Sequence, residues 1–360
     1  MSELHATYRG RKVLVTGHTG FKGSWLCHWL LRMGATVRGY ALDPPTNPAL
    51  FNDLGLSSRM DDIRADVRDR ARLFQEVRAF EPEFVFHLAA QPLVRASYDT
   101  PVETYDINVM GTVNLLDALR RVHFPAAVVI ITTDKCYENR EWPYGYREND
   151  PMGGADPYSS SKGMAELAVA AWRRSYCGDG RVRLASARAG NVIGGGDWAV
   201  DRIVPDCIRA VQSGAVLQVR NPGATRPWQH VLDPLHGYLQ LAARLDVRHP
   251  AEHTRRFADG FNFGPETDSN RPVREVVMGL LEQLDGRWES TASPSSLHEA
   301  HLLHLCIDRA RHLLGWKPVW DFAAALHHTA AWYRASLNSH ELVGITDRQL
   351  DQFEADVNCR

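Results

Sequence analysis

Apolar residues along the first half of the chain follow two alternating rhythms. Short runs rich in Val, Ile, Leu and Phe lie at Lys12–Thr16, Thr36–Leu42, Ile63–Val67, Phe84–Leu88 and Ala127–Thr132. Their length and β-branched content predict buried strands. Between them apolar residues fall at helical spacing: Phe21, Trp25, Leu26, Trp29 and Leu30 within Phe21–Met33, then Arg70–Phe80 and about Val102–Arg121. A sixth strand, Val182–Ala187, follows a helical pattern over Ser159–Tyr176. Gly34 can end the first helix, and Asp43-Pro44-Pro45 breaks the chain after the second strand. Strands alternating with helices predict an α/β fold with a parallel sheet covered on both faces.

After about Ala189 the rhythm breaks up at Gly194-Gly195-Gly196, Pro205, Pro222, Pro227 and Pro234. Short strands and a few helices, such as Val273–Leu284 and Phe322–Ser336, are expected there. The predicted division is a first domain over 1–190, rejoined by 229–258, and a smaller mixed α/β C-terminal lobe formed by 191–228 and 259–360. The end, from about Glu341, reads as polar and loosely held.

Composition narrows the class. The chain has 360 residues, 44% hydrophobic and 23% charged, as in a globular protein. Lys plus Arg number 41 against 43 Asp plus Glu, a net charge of −2. With no basic excess to neutralise phosphates, a nucleic-acid partner is not expected. No apolar run approaches the roughly 18 residues of a membrane span, and MSELHATYRGRK lacks the apolar stretch of a signal peptide. The expected setting is the cytoplasm, without a membrane partner. The six cysteines (Cys27, Cys136, Cys177, Cys207, Cys306 and Cys359) are scattered without a CxxC pair, which fits reduced thiols.

Chemistry enters at Thr16-Gly17-His18-Thr19-Gly20-Phe21-Lys22-Gly23, a glycine-punctuated turn after the first strand that opens the first helix. Glycine lets bare backbone approach a pyrophosphate, and the helix N-terminus offers N–H groups and a positive dipole end. An ordinary turn uses glycine too; the strand before and helix after favour a dinucleotide site in a doubly wound, Rossmann-type sheet. Gly17, Gly20, Phe21, Lys22 and Gly23 are therefore candidate cofactor contacts. Asp43, twenty residues past Gly23, can accept bonds from the adenosine ribose hydroxyls and would repel a 2′-phosphate, favouring NAD over NADP. Asp66, read as ending the third strand, is a candidate for the adenine amino group.

Tyr158 and Lys162 are four apart, on one helix face if the stretch is helical. A free phenol has a pKa of about 10. A fixed ammonium, joined by an oxidised nicotinamide, would lower it, making Tyr158 a general base toward a substrate alcohol. The fifth strand runs into Thr132-Thr133-Asp134-Lys135-Cys136-Tyr137, and ligands bind at the carboxyl ends of strands in open α/β sheets. Thr133 can bond the same substrate oxygen as Tyr158. Asp134 can act as a general acid if burial raises its pKa, and Lys135 as a base or as a fixed cation for an enolate.

The glycine turn, His87-Leu88-Ala89-Ala90, Asn108 before Gly111-Thr112, and Tyr158 with Lys162 together resemble the extended short-chain dehydrogenase/reductase family. Acid–base residues directly after Thr133 resemble its nucleotide-sugar 4,6-dehydratases. Three longer strings resemble the members that act on CDP-sugars: Thr132–Asn139, Arg188–Trp198 and Arg226–Val231. Members using dTDP-sugars carry Asp-Glu where this chain has Asp134-Lys135, so the C5 base stays open. The resemblance implies NAD as cofactor, Val67, Leu88, Ala89, Tyr158 and Lys162 as further cofactor contacts, and a redox-neutral dehydration of CDP-glucose to CDP-4-keto-6-deoxyglucose. C4 is oxidised, water leaves across C5–C6, and hydride returns to C6. It also implies a homodimer, or a tetramer, built through the Val102–Leu119 and Ser159–Tyr176 helices. Asn191, Arg202 and Arg226 are candidates for the sugar and diphosphate, a guanidinium being suited to bidentate phosphate contacts.

Alternatives remain at this stage. Another nucleotide sugar (dTDP-, GDP- or UDP-linked) would suit the same residues. A 4-epimerase would need Tyr158, Lys162 and NAD but no acid at Asp134. A nucleotide-sensing regulator would have no use for the Thr133–Tyr158–Lys162 set. His298, His301 and His304 near Cys306 invite a metal reading, but ligands at every third residue drift around a helix, and no metal is expected.

Overall fold

A computed structural model describes residues 1–291, 302–338 and 341–359. Seven parallel strands form one sheet: β1 (Lys12–Thr16), β2 (Thr36–Ala41), β3 (Asp61–Arg64), β4 (Phe84–His87), β5 (Ala126–Ile131), β6 (Val182–Ala189) and a seventh, Gly260–Phe263. Across the sheet the order is the seventh strand, β6, β5, β4, β1, β2, β3. The chain reverses its winding between β1 and β4, and a crevice opens at the carboxyl ends of these two strands.

The strands read as continuous apolar runs because both faces are covered. In β5, Ala127, Val129 and Ile131 pack in one core with Val13 and Val15, while Val128 and Ile130 pack in the other with Leu14. The first core continues into Trp25 and Trp29 of the helix Phe21–Arg32 and into the helix Leu232–Arg244. The second is closed by Leu73 and Val77 of the helix Arg70–Phe80 and by Leu115 and Leu119 of the helix Gly111–Arg121.

Several expectations shift. The third strand ends at Arg64, not Val67, because it is a half-polar edge strand; Asp66 and Val67 lie in the loop beyond it. The expected helix Val102–Arg121 comprises Pro101–Tyr105, a π-helical turn at Asp106–Met110 and Gly111–Arg121. Within 259–360, Gly260–Phe263 pairs with β6 in the main sheet. The end of the chain is not loose: Leu342–Asn358 is a helix that buries Leu350 and Phe353 against the first core. Trp29 Nε1 donates to Glu354 at 2.7 Å, and Asp347 holds both His28 and Arg32.

Beyond β6, short pairs of strands frame the cleft: Val192–Ile193 with Gln229–His230, Thr225–Pro227 with Asn270–Pro272, and Val216–Val219 with Arg287–Ser290. Helices Ile203–Ser213, Val273–Leu284 and Phe322–Asn338 accompany them. All six cysteines are unpaired thiols. No helix among the described residues is long and apolar enough to cross a membrane.

Candidate active site

The glycine turn is built for close approach. Gly17 has φ +75°, and a Cβ there would lie 2.6 Å from the Ala89 nitrogen. A Cβ at Gly23 would lie 2.2 Å from the Gly17 carbonyl. The turn is thereby pressed onto the end of β4, where Leu88 N donates to Thr16 O and Ala89 N to Thr16 Oγ1. Gly20 caps the helix Phe21–Arg32, so the first-turn N–H groups open on the crevice. A helix N-terminus framed by side-chain-free backbone fits a dinucleotide pyrophosphate. Within the turn, His18 packs under Gly39 and bonds Asp62 at 2.7 Å.

The adenosine end is less uniform. Asp43 lies exposed beyond β2, with Arg64 3.5 Å away. The Asp66 carboxylate is held by the Arg68 backbone N–H at 2.8 Å and its guanidinium at 2.6 Å, which lowers its pKa. Val67 is buried, and a Cβ on Gly111 would press on it. Sequence reasoning passed over Arg64 and Arg68, whose positions two residues from Asp62 and Asp66 were the available signal.

Asp156 and Pro157 start the helix that carries Tyr158 and Lys162. The Asp156 carboxylate accepts from Ser159 N at 2.9 Å, and Pro157 occupies the first turn. Tyr158 therefore sits at the mouth of the helix Pro157–Tyr176 and Lys162 one turn inward, both buried. Lys162 Nζ donates to Ile131 O at 3.4 Å. Opposite, Thr133 caps the short turn Asp134–Cys136, accepting from Lys135 N at 3.3 Å and donating to Asp134 Oδ1 at 2.9 Å.

Burial sets the charges. It pushes Tyr158 up to about 12, against the pull of the Thr133 hydrogen bond and the Arg202 guanidinium. It pushes Lys162 down to about 8, opposed by Glu166. It raises the Asp134 carboxyl despite Lys135, Thr133, Arg226 and Lys22, which favours the protonated acid. Lys22 is pushed down to about 8 by burial and by Arg202, and it feels Asp134 and Lys162. The structure thus gathers Lys22, Thr133, Asp134, Tyr158, Lys162, Arg202 and Arg226 around one crevice. In the chain alone, burial outweighs the neighbouring cations and leaves the phenol above its usual value.

Arg202 is paired with Asp197 at 3.0 Å, and Arg226 Nη1 donates to Thr225 O at 2.9 Å. Asn191 stands half-buried between β6 and Val192–Ile193. Asn108, in the π turn, ties the loop after β4 to the helix Pro157–Tyr176: its Oδ1 accepts from Gln91 N at 2.9 Å and its Nδ2 donates to Ser161 Oγ at 2.8 Å. His298 and His301 lie outside the described residues, and among those described no group of three His, Cys, Asp or Glu side chains is placed to hold a metal.

Known proteins resemble this chain in sequence and in fold. Residues 14–329 match the family model described as GDP-mannose 4,6 dehydratase. The chain is 47% identical over 353 residues to the CDP-glucose 4,6-dehydratase of Salmonella typhimurium, covering 96% of this chain and 97% of that one. The dTDP-glucose 4,6-dehydratase of Streptomyces venezuelae, solved with NAD and TYD bound, superposes with a TM-score of 0.75 at 24% identity, over 90% of this chain and 97% of that one. The UDP-glucose 4-epimerase of Thermotoga maritima, solved with UDP-glucose, gives 0.77 at 20% identity, over 91% of this chain and all of that one. At such identities the solved structures speak to fold alone.

Proposed function

Because the chain belongs to the GDP-mannose 4,6-dehydratase family, within the extended short-chain dehydrogenases/reductases, we propose that it dehydrates CDP-glucose to CDP-4-keto-6-deoxyglucose. It is a hydro-lyase, with NAD as cofactor. The observation that carries this reading is a buried carboxyl, Asp134, raised by desolvation and hydrogen-bonded to Thr133 in the same crevice as Tyr158. A 4-epimerase needs the phenol and not the acid. The near-complete, 47% match to a CDP-glucose enzyme supports the choice of nucleotide.

NAD, when bound, supplies a hydride acceptor and donor within one turnover. The residues of the chain do the proton work. Gly17, Gly20, Phe21, Lys22 and Gly23 hold the pyrophosphate; Asp43, Asp66 and Val67 lie toward the adenosine end, and Leu88 and Ala89 line the approach to the nicotinamide. Tyr158, bonded to Thr133, takes the C4 hydroxyl proton, and Lys162 behind it stabilises the phenolate. The 4-ketone acidifies C5–H. Asp134 protonates the departing C6 hydroxyl, and Lys135 accepts the C5 proton or steadies the enolate. Arg202 and Arg226 bind the diphosphate, with Asn191 at the sugar. Incubating the NAD-loaded protein with CDP-, dTDP-, UDP- and GDP-sugars tests the reading. A 4-keto-6-deoxy product from CDP-glucose ahead of the rest supports it; an epimerised sugar of unchanged mass overturns it.

We also propose a homodimer, able to double to a tetramer, working in the cytoplasm. Tyr105, Val109, Met110 and Met164 line one surface pocket, and Val102 and Leu167 beside it are 81% and 60% exposed. Two helices of one chain thus present an apolar face suited to the same face of a second copy.

A further inference from the structure

Behind the catalytic turn lies a buried acid that the mechanism above does not use. Glu166 is one helical turn beyond Lys162 on the same helix. Its carboxylate accepts from Thr132 Oγ1 on one oxygen, and from Ser186 Oγ at 2.7 Å and Arg188 Nη2 at 2.9 Å on the other. Thr132, Glu166, Ser186 and Arg188 are all buried. Arg188 carries the connection onward: its Nη1 donates to the Tyr137 hydroxyl at 2.6 Å, and Tyr137 donates to Asn262 at 2.8 Å. The carboxylate therefore joins the helix that holds Tyr158 and Lys162 to the strand end that precedes Thr133 and Asp134, and both to β6.

We propose that Glu166 is a positioning residue: it pins Thr132, and with it the Thr133–Asp134 turn, against the catalytic helix, and it supplies the negative charge that keeps Lys162 an ammonium. A buried carboxylate is costly unless paired and fully bonded. Here burial would raise it, and Arg188, Thr132 and Ser186 reverse that and hold it ionised. The groups facing Lys162 from the surrounding elements are Glu166 on its own helix, Cys136 in the turn after β5, His87 at the end of β4 and Lys22 after the glycine turn. Of these, Lys22 and a protonated His87 oppose the ammonium, and Cys136 is a buried thiol pushed well up by desolvation. Glu166 is the carboxylate of the set. An orienting partner one step behind a catalytic group is a common way to hold it within productive geometry.

The inference rests on Tyr158 and Lys162 as the catalytic pair, but its main test needs no substrate. The chain has five lysines, Lys12, Lys22, Lys135, Lys162 and Lys317, so a full-length protein with carbon-13 at lysine Cε gives few signals, and Lys162→Arg assigns one of them. In the native protein the Lys162 signal is expected to titrate near pH 8. In Glu166→Gln it should titrate about one pH unit lower, with Lys12 and Lys317 unmoved. A folded Glu166→Gln in which Lys162 titrates as before overturns the proposal.

Should that variant fail to fold, Thr132→Val, which leaves the Glu166–Arg188 pair intact, decides. kcat on CDP-glucose should fall about tenfold with KM held and Thr132→Ser restoring it; an unchanged kcat overturns the proposal. Absence of turnover by the native protein would count against the dehydratase reading alone, and the lysine titration would still decide this one.

Discussion

Three side chains around the turn after β5 are driven by burial toward their neutral forms: Tyr158 up to about 12, Lys162 down to about 8, and Asp134 upward. Their roles separate by what each must give or take. Tyr158→Phe removes the proposed C4 base and should lower turnover about a thousandfold with a far smaller effect on NAD binding, checked by steady-state rates beside a cofactor titration. Lys135→Ala should block water loss after C4 oxidation; if mass spectrometry of the products shows normal dehydration, Lys135 has neither role. These residues were legible because Tyr158, Lys162 and the Thr133–Lys135 string carry recognisable spacings. Glu166 and Arg188 were not, since a lone Glu on a helix and a lone Arg in an apolar strand give no hint that they meet. The direction of the Tyr158 shift was also out of reach, because it depends on how deeply the helix start is buried.

At the scale of elements, the strands and helices with strong period were read to within a residue or two; Arg70–Phe80 and Val273–Leu284 match throughout. The misses share a physical cause. β3 is a polar edge strand, and Leu342–Asn358 spaces its apolar residues (Leu342, Ile345, Leu350, Phe353) among charges that turn out to bind Arg32, His28 and His5. That helix holds the back of the helix that starts at the glycine turn. Phe353 is fully buried, so Phe353→Ala should cost about 3–5 kcal/mol in denaturant unfolding. Two positions of the turn, Gly17 and Gly23, leave no room for a side chain. Gly23→Ala places a Cβ against the Gly17 carbonyl and should weaken NAD binding at least tenfold by calorimetry, since the backbone must shift.

For the whole molecule, several histidines are stored neutral in the interior. Burial pushes His87 and His236 to about 3 and His328 to about 4. In the unfolded chain they titrate near 6.5. Below that value the unfolded state binds protons that the native state refuses, so stability is complete above about pH 6.5 and lost as pH falls toward 4 and 3. Thermal unfolding should show Tm falling steadily from pH 7 to pH 5. The apolar face of the helices Pro101–Tyr105 and Pro157–Tyr176 makes a second prediction at this scale: if the proposed dimer forms through it, Leu167→Arg should give folded monomers by light scattering where the native protein gives dimers.

Redox-neutral dehydration makes one demand that neither epimerisation nor simple oxidation makes: the hydrogen removed from C4 must reappear on C6 of the same sugar. CDP-glucose carrying deuterium at C4 tests this directly, with the product followed by mass spectrometry and proton NMR. The account predicts loss of one water with the deuterium in the new C6 methyl group. Deuterium remaining at C4, or a product that has lost no water, would contradict it.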